Sequence, residues 1–147
     1  MTPAQIAAVQ RSFSLVVPIK EKAAALFYDR LFTIDPTAKP LFKNDMDAQG
    51  RKLMTALASV VAALGNPSSI VPAIQNLGRR HVAYGVEDHH YASVGAALLW
   101  TLEVGLGAEF TAEVKDAWAD AYKLLSDVMK DAAEQVDLPL KVSARRD

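Results

Sequence analysis

Residues 74–85 read Ile74-Gln75-Asn76-Leu77-Gly78-Arg79-Arg80-His81-Val82-Ala83-Tyr84-Gly85. Ile74, Leu77, Gly78 and His81 recur at i, i+3, i+4 and i+7, the spacing that puts four residues on one face of an α-helix. Three of the four are apolar or small and the fourth is a histidine. The pattern predicts a helix over 70–84, with Pro72 near its start and Gly85 as its C-cap. A histidine where the period asks for a hydrophobe has two readings. One is a core residue bonded to a nearby carbonyl. The other is an axial metal ligand whose second ring nitrogen donates to a carbonyl one turn back, such as that of Leu77, fixing the tautomer.

Working outward, everything periodic in the chain has the helical period. Thr2-Pro3-Ala4-Gln5 carries the elements of a capping box and predicts a helix from Pro3 to about Val16. A second is expected from about Pro18 to Phe32, a short helical turn from Asp35-Pro36 toward Leu41, and a loop over 43–47. Leu53, Leu57, Val60, Val61 and Leu64 then mark one helical face, stopped by Gly65-Asn66-Pro67. Two longer helices follow, over about 91–105 and 111–136. Val and Ile never alternate over a strand length, so the fold class is all-α. Asp137-Leu138-Pro139 is expected to end the last helix, leaving one domain over 1–137 and a disordered tail over 138–147.

Composition narrows the function classes. In 147 residues there are 16 Lys+Arg against 17 Asp+Glu, 51% hydrophobic residues and no cysteine. A chain of this size buries roughly 68–70% of its unfolded surface, enough to enclose a small ligand but not to add a second catalytic domain. Without cysteine there is no thiolate metal site, no cysteine nucleophile and no thioether anchor for a haem. The near-zero net charge argues against a nucleic-acid binder. No unbroken apolar run approaches the 18 or so residues of a membrane span, and the first residues lack a basic, apolar leader, so the expected location is cytoplasmic.

Two further polar residues fall on apolar faces. Gln49 lies four residues before Leu53 on the same stripe, and Tyr28 shares a face with Ala24, Phe27 and Leu31. Alone, the first reads as a solvated amide and the second as a core phenol needing a hydrogen-bond partner. Gathered around one cavity with His81, they become one ligand from below and two hydrogen-bonding groups from above. His81 has no second His, Cys or carboxylate at i+3 or i+4, so a metal held there must bring its own equatorial ligands, as a porphyrin does. His89 and His90, beside Glu87 and Asp88 at a helix start, read as solvated, and Met46, Met54 and Met129 as core filling.

From Phe27 to about Val136 the chain resembles the globins, in particular single-domain bacterial haemoglobins and the globin half of flavohaemoglobins, with a likeness to neuroglobin. The resemblance rests on Phe27-Tyr28-Asp29-Arg30-Leu31-Phe32, Pro36 with Pro40-Leu41-Phe42, Gln49-Gly50-Arg51-Lys52-Leu53-Met54, Leu77-Gly78-Arg79-Arg80-His81 with Tyr84-Gly85-Val86, Tyr91 with Val94-Gly95, and Ala117-Trp118-Ala119-Asp120-Ala121-Tyr122. It implies a three-on-three helical sandwich around noncovalent haem b. By the resemblance His81 is the proximal iron ligand, Tyr28, Gln49 and Leu53 line the distal pocket, and Phe42, Leu77, Val86 and Tyr91 contact the haem. Arg51 and Lys52 would lie at the pocket mouth within reach of the propionates, the alternative being a solvated face; Arg80, His89 and His90 are further propionate candidates. Flavohaemoglobins add a Tyr and a Glu at the proximal histidine. Tyr91 matches that Tyr, whereas Ala133 stands at the Glu position, with Glu134 one residue and about 100° further round.

The resemblance implies oxygen as ligand, with nitric oxide and carbon monoxide as further gases. Three functions follow: a reversible oxygen carrier, store or scavenger; a nitric oxide dioxygenase working with a separate reductase; and a haem-free signalling domain of globin-like fold. No large apolar stripe is left over for a dimer, so a monomer is expected.

Overall fold

The computed structural model describes the backbone of residues 1–42 and 45–146 and the side chains of 1–42 and 45–134. Six α-helices account for most of it: α1 (Pro3–Val16), α2 (Lys20–Ile34), α3 (Met46–Ala62), α4 (Val71–Ala83), α5 (Asp88–Leu106) and α6 (Ala112–Arg146). Short 3-10 turns cover Val17–Ile19, Pro36–Leu41, Pro67–Ser69 and Gly107–Glu109. There is no strand among the described residues, as the periodicity predicts.

Local chemistry explains the boundaries. At α1 the capping box forms: the Gln5 N–H donates to Thr2 Oγ1 (3.1 Å) and the Thr2 N–H to Gln5 Oε1 (2.9 Å). Pro18 falls inside a 3-10 turn, so α2 starts at Lys20 rather than Pro18. α3 starts inside the expected loop, because the Asp45 carboxylate caps it by accepting from the Asp47 N–H at 3.0 Å. α5 starts at Asp88, three residues before the expected Tyr91, on a reciprocal cap between Glu87 and His90. The backbone of α6 runs on past Val136 to Arg146. The expectation of a disordered tail over 138–147 lies outside the residues whose side chains are described.

The apolar stripes bury themselves by crossing. α2 packs on α5 and α3, α1 on α6, α3 and α5, and α4 along α6. Val9, Leu31, Ala97, Ala117 and Trp118 are nearly or fully buried where these crossings meet. Trp118 Nε1–H donates to Ser12 Oγ (2.8 Å), which donates to the Ala8 carbonyl (2.7 Å), so this polar pair enters the core with its bonds satisfied. Within residues 88–109, which contain α5, an 18-residue window reaches a mean hydropathy of 1.2, long and apolar enough by composition to cross a membrane, which a count of unbroken apolar runs does not show. In this fold their apolar side is core: Gly95, Ala97, Leu98, Leu102 and Leu106 are buried.

One contact decides how the His81 helix sits. At Gly78, one turn before His81, a Cβ would come within 2.7 Å of Met129 Cα on α6, so helix meets helix backbone to backbone. Any side chain there would hold α4 off α6. At the other end Gly85 has φ +87°, the left-handed conformation that ends a helix without strain only for glycine.

Candidate functional site

His81 is half-buried on α4 and its Nδ1 donates to the Leu77 carbonyl at 2.7 Å. With the ring proton committed to Nδ1, the Nε2 lone pair is free to bind a metal. Burial lowers the pKa, the Leu77 carbonyl raises it and the Arg80 charge lowers it, with burial foremost. The imidazole is therefore neutral near pH 7, the form that ligates. The Val86 N–H donates to the His81 carbonyl (3.0 Å), folding the chain after α4 back beneath the histidine. Leu77 and Val86 pack on a small buried cluster of Ile74, Tyr91 and Met129.

The other half of the site comes from α2, α3 and the 3-10 turn between them. Tyr28 is buried in a nest of rings, with Phe27 at 5.0 Å, Phe42 at 5.2 Å and Phe32 at 6.0 Å between centroids. Burial raises the pKa of its hydroxyl, and the half-buried Gln49 side chain nearby opposes that rise. The phenol is thus protonated and able to donate, with an amide beside it. Phe27, the residue before Tyr28, lines an apolar cavity of about 20 Å³ together with Leu53, Met54 and Leu98. A second, about 10 Å³, adjoins it through Leu57, Leu98 and Trp118. The Thr101 hydroxyl on the lining of the larger cavity is spent on the Ala97 carbonyl (2.8 Å), leaving little to hold a water.

The halves meet at the corner. A Cβ at Gly85 would lie 3.5 Å from Leu41 Cδ2, so the end of the His81 helix abuts the turn carrying Phe42. Tyr28 thus lies by Phe42 and Gln49, and His81 by Leu77 and Val86, which pack with Tyr91; His81, Tyr28 and Gln49 line neither of the two cavities. Arg51 and Lys52 are exposed and make no hydrogen bond or ion pair among the described residues. Arg80 is exposed as well, and so is Glu134.

A family model for globins matches residues 25–129. The chain belongs to the globin family. Among curated relatives, this globin is 36% identical over 118 residues to a flavohemoprotein of Bordetella parapertussis, a match covering 76% of the chain and 29% of the relative. It is 32% identical over 107 residues to a flavohemoprotein of Xylella fastidiosa, covering 71% and 27%. It thus spans less than a third of the length of the curated relatives it matches. Among solved structures it resembles an engineered carbene transferase derived from a nitric oxide dioxygenase candidate of Rhodothermus marinus, with a TM-score of 0.87, 26% identity, and coverage of 96% of this chain and 99% of that one. The six helices form the globin fold. Globins and flavohemoproteins bind haem, and the donor set suits one: His81 offers a single neutral imidazole with a free Nε2, and among the described residues neither α2 nor α3 carries a histidine.

A network that the sequence pattern does not signal ties α2 to α5. Asp35, at the end of α2, is buried and accepts from Thr37 Oγ1, from Ser93 Oγ (2.7 Å) and from His89 Nδ1 (3.1 Å). Those bonds, Thr37 first and Ser93 next, hold its carboxyl at about 2 against a partial cost of burial. His90, expected to be solvated, is 5% exposed. Its position four before Val94, seven before Ala97 and eleven before Thr101 is the signal that could have found it. Asp35, His89 and His90 bring potential ligand atoms within 4.8 Å of one another, as a cation site would. The hydrogen bonds use them otherwise. His90 Nδ1 accepts the Glu87 N–H (2.8 Å), so Nε2 carries the proton and faces Thr37 Oγ1 (3.2 Å) without a lone pair to offer. The cluster is a strut between helices.

Proposed function

We propose that this globin binds haem b through His81 and takes up oxygen reversibly, for carriage, storage or scavenging, with Tyr28 and Gln49 setting a high affinity. The observation that carries the reading is the pairing of a tautomer-locked, neutral His81 with a buried, protonated Tyr28 whose hydroxyl lies near Gln49. When bound, haem would supply an iron able to take up a diatomic gas. His81 supplies the single protein ligand from Nε2, its orientation held by the Leu77 carbonyl. Tyr28 presents an O–H and Gln49 an N–H to a gas that carries partial negative charge; each such bond contributes about 1.5–3 kcal/mol if charge-assisted. The apolar space behind Leu53 excludes water that would compete for those donors. An amide is a poor iron ligand, so Gln49 would not compete with gas for the iron.

The flavohemoprotein relatives and the Rhodothermus marinus neighbour favour a second reading: a nitric oxide dioxygenase re-reduced by a separate reductase. Steady nitric oxide consumption with a supplied reductant would support that enzyme, and a single stoichiometric burst would support the carrier. The primary test is an absorption spectrum of the purified protein with haem supplied, reduced and with carbon monoxide, beside His81→Ala. A strong Soret band, shifted by carbon monoxide and lost or weakened in the variant, is expected. Absence of any Soret band sinks the reading and leaves a haem-free globin-like domain.

A further inference from the structure

We propose that Lys130 places a positive charge against the His81 side of the site that stabilises the reduced state of bound haem and so favours reversible gas binding over oxidation. The inference rests on the haem-binding reading above. Lys130 lies on α6 with its Nζ 5.5 Å from the centroid of the Tyr91 ring, a cation–π contact. Tyr91 is a firm platform: it is 6% exposed, and its carbonyl accepts the Tyr122 hydroxyl at 2.6 Å. It belongs to the cluster on which Leu77 and Val86 pack, and both of those residues are hydrogen-bonded to His81. Between the Lys130 charge and the surroundings of His81 there is therefore packed ring and aliphatic side chain, where a charge acts at longer range than it does in water.

Other charges near Tyr91 oppose this one less effectively. Asp88 is close enough to Tyr91 to raise its pKa, after burial, but Asp88 is exposed whereas Lys130 is half-buried, so salt and water screen the anion more. On α6, Asp127 is exposed and paired with Lys123 Nζ at 2.9 Å, and Asp131 and Glu134 are also exposed. Lys130 makes no ion pair among the described residues. One turn further along α6, Ala133 adds no charge. Reduction adds one electron to the iron and breaks no bond, so the state with one less positive charge is the one a fixed cation favours.

The test is a mediator-linked spectroelectrochemical titration of the haem-loaded protein, with the autoxidation rate of its oxygenated form measured alongside. Lys130→Gln and Lys130→Met are each expected to lower the midpoint potential, shifting the ferrous-to-ferric ratio at fixed potential by about threefold or more, and to speed autoxidation. Lys130→Arg, which keeps the charge and the ring contact, should stay near the parent. Asp88→Asn should move the potential the opposite way by a smaller amount. A purely structural role for Lys130 would change unfolding without this charge-ordered pattern. Both neutral variants showing normal Soret bands and an unmoved potential overturn the proposal alone. Failure of the parent protein to take up haem at all overturns the haem-binding reading and this inference with it.

Discussion

The two sides of the candidate pocket are built by different means. On the His81 side the chain relies on backbone: α4 touches α6 at Gly78, the Leu77 carbonyl aims the imidazole, and the Val86 N–H closes the turn. On the Tyr28 side it relies on side chains, with a phenol among three phenylalanine rings and an amide beside its hydroxyl. The difference implies that the first side sets where a ligand atom is held and tolerates little change in shape. In the proposed reading, the second would set how strongly a gas is held and would tolerate changes of chemistry that keep the shape.

The sharpest way to break that division is Gly78→Val. It should force α4 away from α6 and cost about 1–3 kcal/mol or more by overpacking, read as a lower urea midpoint, and it should speed haem loss. Little change in either would mean that the backbone contact does not set the position of His81. Tyr28→Phe is next. It removes one donor at nearly constant shape, so stability should change by less than about 1 kcal/mol, while oxygen release by flash photolysis or stopped flow should accelerate about tenfold, the effect of one charge-assisted hydrogen bond. An unchanged release rate would put the affinity on the other side of the pocket. Gln49→Leu should do less to release. It should also raise the titration of Tyr28 further, since Gln49 now opposes the effect of burial; an ultraviolet titration reads this.

The smallest effect concerns the strut that joins the two sides. Asp35 titrates near 2 in the fold against an ordinary 3.8, so its stabilisation is present above about pH 4 and is lost as pH falls toward 2. Asp35→Asn should be less stable than the parent at pH 7, with the gap closing between about pH 4 and pH 2 in acid-unfolding curves. A gap independent of pH would mean that the Thr37, Ser93 and His89 bonds do not act through the charged carboxylate.

Much of the His81 side is legible in the amino-acid sequence. The His81 stripe, the Leu77 carbonyl as its partner, the capping box at Thr2 and Gln5 and the C-cap at Gly85 all follow from spacing within a few residues, and local geometry preserves such relations. The starts of α3 and α5 are not legible in the same way, because their caps use Asp45 and a Glu87–His90 pair, side chains that read equally well as solvated charge. Asp35, Thr37 and Ser93 escape the pattern for a different reason: three of the network's bonds join residues more than fifty positions apart, and no period connects them.

The amino-acid sequence by itself determined that this protein is helical, that it has no cysteine chemistry, and which histidine interrupts an apolar face. These depend on residue type and on the 3.6-residue period, both of which are local. Only the tertiary structure decided that Gln49 lies near Tyr28, that Gly78 lies against the backbone of α6, that His90 reaches Thr37 and that Lys130 stands over Tyr91. Each of those pairings is a choice among many helix crossings, made by the packing of whole faces and not by any one segment.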